Sequence, residues 1–180
     1  MTIPKVHLAT SSAEISKHAQ AALSESCSNI ILVPVDFSSH SEAALVEASG
    51  FAQMMPARLM VLHVVHDPGE MPGYYSKLVK KKRATRMQDI AAEAFHEFMA
   101  GVIEAHPKLT ALQEAETLMV KGLPVTRILE LVDQVNPMMV VMGSQGRTGL
   151  KHLVIGSKAA QLVQLCPVPI TIVKKAKQWM

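Results

Sequence analysis

Five short aliphatic segments, separated by segments with helical periodicity, dominate the sequence and limit the folds that it can adopt. Parallel strands need a crossover between them, and a parallel sheet is buried on both faces beneath the crossover helices. The sequence therefore predicts an α/β fold, an open five-stranded parallel sheet with helices on both faces. The predicted strands are Ile30–Val35, Leu59–Val65, Ala115–Val120, Met138–Met142 and Val168–Val173.

Helical patterns occupy each connection between these strands. The first helix is expected to begin at Ser39, because Ser39 and Glu42 have the spacing of a capping box. A long helix follows at roughly Lys77–Glu104, and the next begins at Pro124, since proline is tolerated in a first helical turn. The last helix is predicted at Ser157–Leu165, with Ser157 as its N-cap. Each crossover therefore holds one helix, as a parallel sheet requires.

Composition narrows the class of protein. The chain has 180 residues, of which 49% are hydrophobic and 18% charged, enough apolar material for the core of one domain. Aromatic residues are only 4% and the net charge is +3, so we expect neither a base-stacking surface nor a nucleic-acid partner. The longest apolar runs, Ile30–Val35 and Pro137–Met142, are too short to span a bilayer, and no membrane insertion is expected.

The first 28 residues differ from the rest of the chain. They are rich in Ala, Ser, Thr and His without strong periodicity, and we expect residues 1–28 to be a flexible or loosely docked extension before a single domain at 29–180. This segment has no apolar secretory core, and Cys27 and Cys166 have no disulfide spacing pattern. Together these features predict a cytoplasmic protein with reduced thiols.

The carboxyl ends of the strands are where a ligand is expected. In open parallel sheets, ligands bind beyond these ends, at the point where the strand order reverses. The positions to search are therefore Asp36, the residues after Val65, Lys121-Gly122, and Gly143 onward.

A glycine-rich loop follows the fourth predicted strand. It runs from Gly143 to Ser157, and its glycines allow positive φ angles and close approach of N–H groups to an anion. Arg147, Lys151 and Lys158 add positive charge. The loop matches neither the P-loop nor the dinucleotide fingerprint. From the residues alone, a phosphate cradle and a simple connecting turn stay equally open.

The spacing of this loop resembles a known signature. Gly143, Gly146 and Gly156-Ser157 match the pattern G-2x-G-9x-G-[ST] of the universal stress protein (UspA-like) family, in its ATP-binding branch. The likeness covers roughly residues 29–175. Ile31–Ser38 resembles the family's opening strand and Cys166–Pro169 its entry to the last strand.

The resemblance implies a fold, a ligand and an assembly. The implied fold is adenine nucleotide alpha hydrolase-like, which is Rossmann-like, with strand order 3-2-1-4-5. The implied function is a nucleotide-responsive stress or regulatory module that binds ATP, with Mg²⁺ accompanying the nucleotide. The implied assembly is a homodimer that forms through the edge strand Val168–Val173.

The resemblance also implies a set of nucleotide-binding residues. Asp36 is similar to the acidic residue that holds the adenine and ribose, and Val64 to the backbone contact beside the adenine. Gly146 and Arg147 would approach the phosphates, and Gly156 to Lys158 would complete their site. The full set is Pro34, Val35, Asp36, Val64, Met142, Gly143, Ser144, Gln145, Gly146, Arg147, Gly156, Ser157 and Lys158.

Two other functions stay open at this point. A slow ATP hydrolase or phosphotransferase is one, although no nucleophile with a paired base can be assembled near the loop, and we name no catalytic residue. A nucleotide-independent interaction module is the other, acting through the extension or the basic run Lys77–Arg86. His63 and His66 lie on opposite faces of a strand, so we predict no shared metal and a packed or hydrogen-bonded His63.

Overall fold

The chain is described by a computed structural model over residues 3–9, 13–14, 17, 29–65, 81–146 and 155–175, with only the backbone at 81–86. Over these residues, the predicted strands are joined by helices, and one short helix that was not predicted, Thr110–Gln113, follows the long helix. The strands are β1 (Val6–Ala9), β2 (Ile30–Val35), β3 (Arg58–Val65), β4 (Glu116–Lys121), β5 (Met139–Gly143) and β6 (Ile170–Val173). The helices are α1 (Ser39–Met54), α2 (Lys81–Ala105), α3 (Thr110–Gln113), α4 (Pro124–Val135) and α5 (Ser157–Leu165).

The strands form one parallel sheet in the order β1-β4-β3-β2-β5-β6. The α/β class is therefore confirmed, and the five strands from β2 to β6 follow the predicted order 3-2-1-4-5. The order reverses at β2, whose neighbours are β3 and β5. A ligand is thus expected where the carboxyl ends of these three strands meet.

The sheet has one strand more than the predicted five. β1 lies inside the segment that we expected to be an extension, and it pairs with β4 from Val6↔Thr117 to Ala9↔Val120. Ala9 is buried, and the Thr117 hydroxyl donates to the Lys5 carbonyl over 2.8 Å. A four-residue strand is too short to show a period, and it adds to the edge of β4 mainly through backbone hydrogen bonds. Most of residues 10–28 lies outside the described residues, so a flexible extension stays a prediction there.

Two aliphatic cores lie on the two faces of the sheet. Along β2, Ile30 and Leu32 face α4 and α5, whereas Ile31 and Val33 face α1 and α2. Strand residues alternate between faces, and both faces of a crossover sheet are covered, which explains the nearly continuous apolar run. No helix within the described part of the chain is both long enough and apolar enough to cross a membrane.

The helices that begin at Ser39, Pro124 and Ser157 start where the sequence predicts, but the N-caps of the first and last lie one residue earlier than expected. Ser38, not Ser39, is the N-cap of α1, and its hydroxyl accepts from the Ser41 amide over 3.2 Å. Gly156, not Ser157, is the N-cap of α5, so Ser157 is the first helical residue.

Candidate functional site

An open cavity of about 490 Å³ lies at the carboxyl ends of β2, β3 and β5, next to the first turns of α4 and α5. Its volume is within the range of roughly 300–1,000 Å³ that is typical of small-molecule sites. Twelve of the thirteen residues that the resemblance implied line it, and Arg147 lies outside the described residues. The lining residues in that set are Pro34, Val35, Asp36, Val64, Met142, Gly143, Ser144, Gln145, Gly146, Gly156, Ser157 and Lys158.

Asp36 follows the last residue of β2 and is held by the capping loop of α1. Its Oδ1 accepts from the Ser38 amide over 3.1 Å, and its own amide donates to the Ser41 hydroxyl over 3.4 Å. The buried Ser41 hydroxyl in turn donates to the Ser38 carbonyl over 2.9 Å. The loop therefore engages one carboxylate oxygen and orients the other.

The second carboxylate oxygen of Asp36 faces the glycine loop. A Cβ placed on Gly146 would stand 2.5 Å from Asp36 Oδ2, closer than real Cβ contacts allow. Among the described glycines, only Gly122 has a positive φ, at 141°. The close approach of the carboxylate, and not a left-handed backbone, therefore favours glycine at position 146, where a side chain would displace Asp36 Oδ2.

Gly143 is required for a different contact. A Cβ at this last residue of β5 would lie 2.7 Å from the His40 carbonyl carbon and 2.8 Å from its oxygen. These are backbone atoms in the first turn of α1. Glycine at position 143 thus allows α1 to begin directly against the end of β5.

The two described ends of the glycine loop are joined to each other. The Gly156 amide donates to the Ser144 carbonyl over 2.7 Å, and the Ser144 amide donates to the Val173 carbonyl over 2.8 Å. Ser144 is buried, so these bonds are shielded from water. The start of α5 is therefore fixed beside the end of β5, on the wall of the cavity.

The first turn of α5 has the features of an anion site. Within the part of the chain that is described, no side chain caps this helix, and its first turn holds no acidic residue. Ser157 and Lys158 are exposed there and line the cavity. By contrast, α1 is capped by Ser38 and has Glu42 in its first turn. The N–H groups of the first turn of α5 and Lys158 make this helix start a candidate anion site, and α4, which begins at Pro124, likewise has no side-chain cap and no first-turn acid among the described residues.

Several lining residues were not predicted as site residues. His63 belongs to the wall, and its Nδ1 lies 2.9 Å from the Val35 carbonyl oxygen while its ring stacks on Phe37. The prediction that His63 is packed and hydrogen-bonded is confirmed, although its place in the cavity was missed. Pro124 and Ile128 of α4 also line the wall. In the sequence, only the nearby strand end Lys121-Gly122, where a ligand is expected, pointed toward them. The other unpredicted lining residues are Ser41, Leu62, Ala159 and Leu162.

The described residues bring no group of three or more His, Cys, Asp or Glu close enough together to hold a metal ion. His66 lies outside them. Among the described residues, the charged side chains that line the cavity are Asp36 and Lys158. The arrangement can therefore bind a ligand that combines hydrogen-bond donors with an anionic group.

Comparisons with known proteins agree with this fold. The model of the universal stress protein family matches residues 28–174. A universal stress protein of Thermus aquaticus is 28% identical over 148 residues, which cover 80% of this chain and 97% of the relative. The structure of UspA from Lactobacillus plantarum superposes with a TM-score of 0.66 at 23% identity, over 83% of this chain and 99% of that one. A universal stress protein solved in complex with cAMP has a TM-score of 0.51 at 20% identity, over 81% and 95% of the two chains.

Proposed function

Since this chain belongs to the universal stress protein family, we propose that it binds ATP and acts as a nucleotide-responsive stress or regulatory protein. The observation that carries the proposal is the contact between Asp36 and Gly146, which are 110 positions apart. A strand-end carboxylate and the glycine loop, far apart in sequence, thus meet in the wall of one cavity. Such a cradle fits a nucleoside beside the carboxylate and phosphates along the loop.

The nucleoside occupies the end of the cavity formed by β2 and β3. Asp36 accepts hydrogen bonds from its hydroxyl or amino groups, because an ionised carboxylate is acceptor-only. Val64 presents its backbone to the base edge, and Pro34 and Val35 form the adjoining wall. The partly apolar lining suits a flat, weakly polar base.

The phosphates lie against the glycine loop and the first turn of α5. Backbone N–H groups at Gly146 and from Ser157 onward face the phosphate oxygens, and Lys158 neutralises part of their charge. Arg147 belongs to the same proposed site. Mg²⁺ is proposed to enter with the nucleotide, since this ion binds phosphate oxygens and keeps several of its waters. The cAMP complex of a protein with the same fold supports the choice of an adenine nucleotide.

We further propose that two copies associate through β6, in the cytoplasm where ATP is abundant. β6 lies at an edge of the sheet, where backbone groups invite pairing with another strand. On α5, the apolar side chains of Val163 and Leu165 are 52% and 54% exposed, and we propose that they add to the interface between the two copies. Light scattering is expected to give a mass near twice 19.6 kDa, and the mass of one chain would contradict the dimer.

The charge of Asp36 supplies the direct test of the nucleotide site. Asp36→Asn keeps an oxygen that can accept from Ser38 but removes the charge and turns the other oxygen into a donor. Charge-assisted hydrogen bonds contribute about 1.5–3 kcal/mol, so the dissociation constant for ATP should rise roughly 10- to 150-fold in calorimetry. Asp133→Asn is the matched control, an exposed carboxylate on α4 outside the cavity. Equal affinities for ATP in both variants would contradict the proposed role of Asp36.

A further inference from the structure

Aromatic side chains gather at one place beside the cavity. The chain has four phenylalanines, and three of them form a cluster with His63, in which Phe37 and Phe95 contact the His63 ring and Phe98 contacts Phe37. The His63 ring is stacked on Phe37, with centroids 4.1 Å apart and planes inclined by 26°. Phe37 in turn contacts Phe95 and Phe98 of α2, with centroid distances of 5.7 and 5.4 Å. Although aromatic residues are only 4% of the chain, they cluster here at the end of β2, next to Asp36.

Phe37 has an unfavourable backbone conformation. Its φ is 64°, in the left-handed region that a bulky L-residue rarely adopts. Such a conformation is unfavourable and persists only where its surroundings stabilise it. Phe37 follows Asp36 directly, and this turn sends the chain from β2 into the cap of α1. The stack on His63 and the contacts with α2 enforce the turn.

His63 also holds the residue on the other side of Asp36. Its Nδ1 is 2.9 Å from the carbonyl oxygen of Val35, its partner in the register of β2 with β3. A carbonyl can only accept, so Nδ1 carries the proton in this hydrogen bond. One side chain thus contacts both chain neighbours of Asp36, Val35 by a hydrogen bond and Phe37 by stacking.

We propose that His63 is a positioning residue for Asp36, which fixes the direction of its carboxylate in the nucleotide cavity. The proposal rests on the proposed function, because it concerns how the carboxylate is presented to the nucleoside. His63 acts on the ligand through Asp36. Its removal lets the Phe37 turn relax and costs affinity only as far as Asp36 contributes to it.

Three substitutions separate the two contacts of His63. His63→Phe keeps a ring for stacking and loses the donor, His63→Asn keeps an amide donor near the place of Nδ1 and loses the ring, and His63→Ala loses both. Residues that contact each other typically have interaction energies equivalent to a roughly 2- to 150-fold change in the dissociation constant. We expect His63→Ala to weaken ATP binding about tenfold and each of the other two variants to weaken it less. His96→Ala, at an exposed position on α2, is the matched control and should bind as wild type does.

A double-mutant cycle with Asp36→Asn distinguishes positioning from a general structural role. If His63 acts through Asp36, the double variant with His63→Ala binds ATP no more weakly than Asp36→Asn alone. If the two losses multiply, so that the double variant is about tenfold weaker again, the positioning role is overturned. Wild-type affinity in all three His63 variants overturns it as well. Should His63→Ala fail to fold by circular dichroism, the same cycle is run with His63→Phe.

Two measurements, on the wild type and on Asp36→Asn, separate a failure of the nucleotide site from a failure of the positioning role of His63. ATP binding by the wild type, weakened by Asp36→Asn, establishes the nucleotide site before any His63 variant is measured. With that result in hand, additive losses or no loss in the His63 variants overturn only the positioning role. Without it, the proposed function fails, and the positioning role fails with it.

Discussion

A Gly146→Val variant should fold as the wild type does and lose its affinity for ATP, with a dissociation constant at least about 100-fold higher, or about 2.7 kcal/mol. Its Cβ would stand 2.5 Å from Asp36 Oδ2, and the two valine methyl groups would extend further into the cavity. The carboxylate must then turn away, and the proposed path of the phosphates narrows. Because Gly146 is exposed and its φ is not positive, neither the core nor the backbone opposes the substitution.

The controls for this variant come from two alanine substitutions. Gly146→Ala adds the Cβ alone and should produce an intermediate loss of affinity in the same calorimetric titration. Gly101→Ala, on α2 with nothing within 4 Å of the added Cβ, should leave ATP binding unchanged. Wild-type affinity in Gly146→Val would mean that Asp36 and Gly146 do not border the bound ligand.

Gly143→Ala should instead destabilise the fold. The added Cβ meets backbone atoms of His40 at 2.7 and 2.8 Å, and backbone in a helix cannot yield as a side chain does. Overpacking of a tight contact costs typically about 1–3 kcal/mol, and we expect a loss of this size in the free energy of unfolding by urea.

Gly50→Ala on α1 is the matched control for Gly143→Ala. Its Cβ has open space, so the variant should be as stable as wild type or gain roughly 0.5–1 kcal/mol from the better helix propensity of alanine. Stability of Gly143→Ala equal to wild type would contradict the close packing of α1 on β5. The two loop glycines, three residues apart, are thus expected to differ in their effects. Substitution of Gly146 lowers the affinity for ATP, whereas substitution of Gly143 lowers the free energy of unfolding.

The fold could be predicted largely because parallel strands buried on both faces leave a plain hydrophobic pattern. Ile30–Val35 is such a run, and the helical segments between runs imply the crossovers. β1 could not be predicted in this way. Val6–Ala9 has four residues and two exposed side chains, and it joins the sheet through backbone pairing with β4, which side-chain patterns do not encode.

The site was predictable to the extent that it consists of strand ends and a spaced glycine motif. Asp36 and Gly143 line the cavity because the topology brings the carboxyl ends of β2 and β5 together. The contacts within the site were not predictable. The stack of His63 on Phe37 depends on a left-handed backbone angle at a phenylalanine, which residue preferences argue against.

The measurement that tests the nucleotide site most directly is a calorimetric titration of nucleotide-free protein with ATP, followed by thermal unfolding at saturation. We expect saturable binding of one ATP per chain and, at a ligand concentration of 100 times the dissociation constant, a stabilisation of about 2.7 kcal/mol. Absence of heat together with an unchanged unfolding temperature would contradict nucleotide binding and favour a nucleotide-independent interaction module.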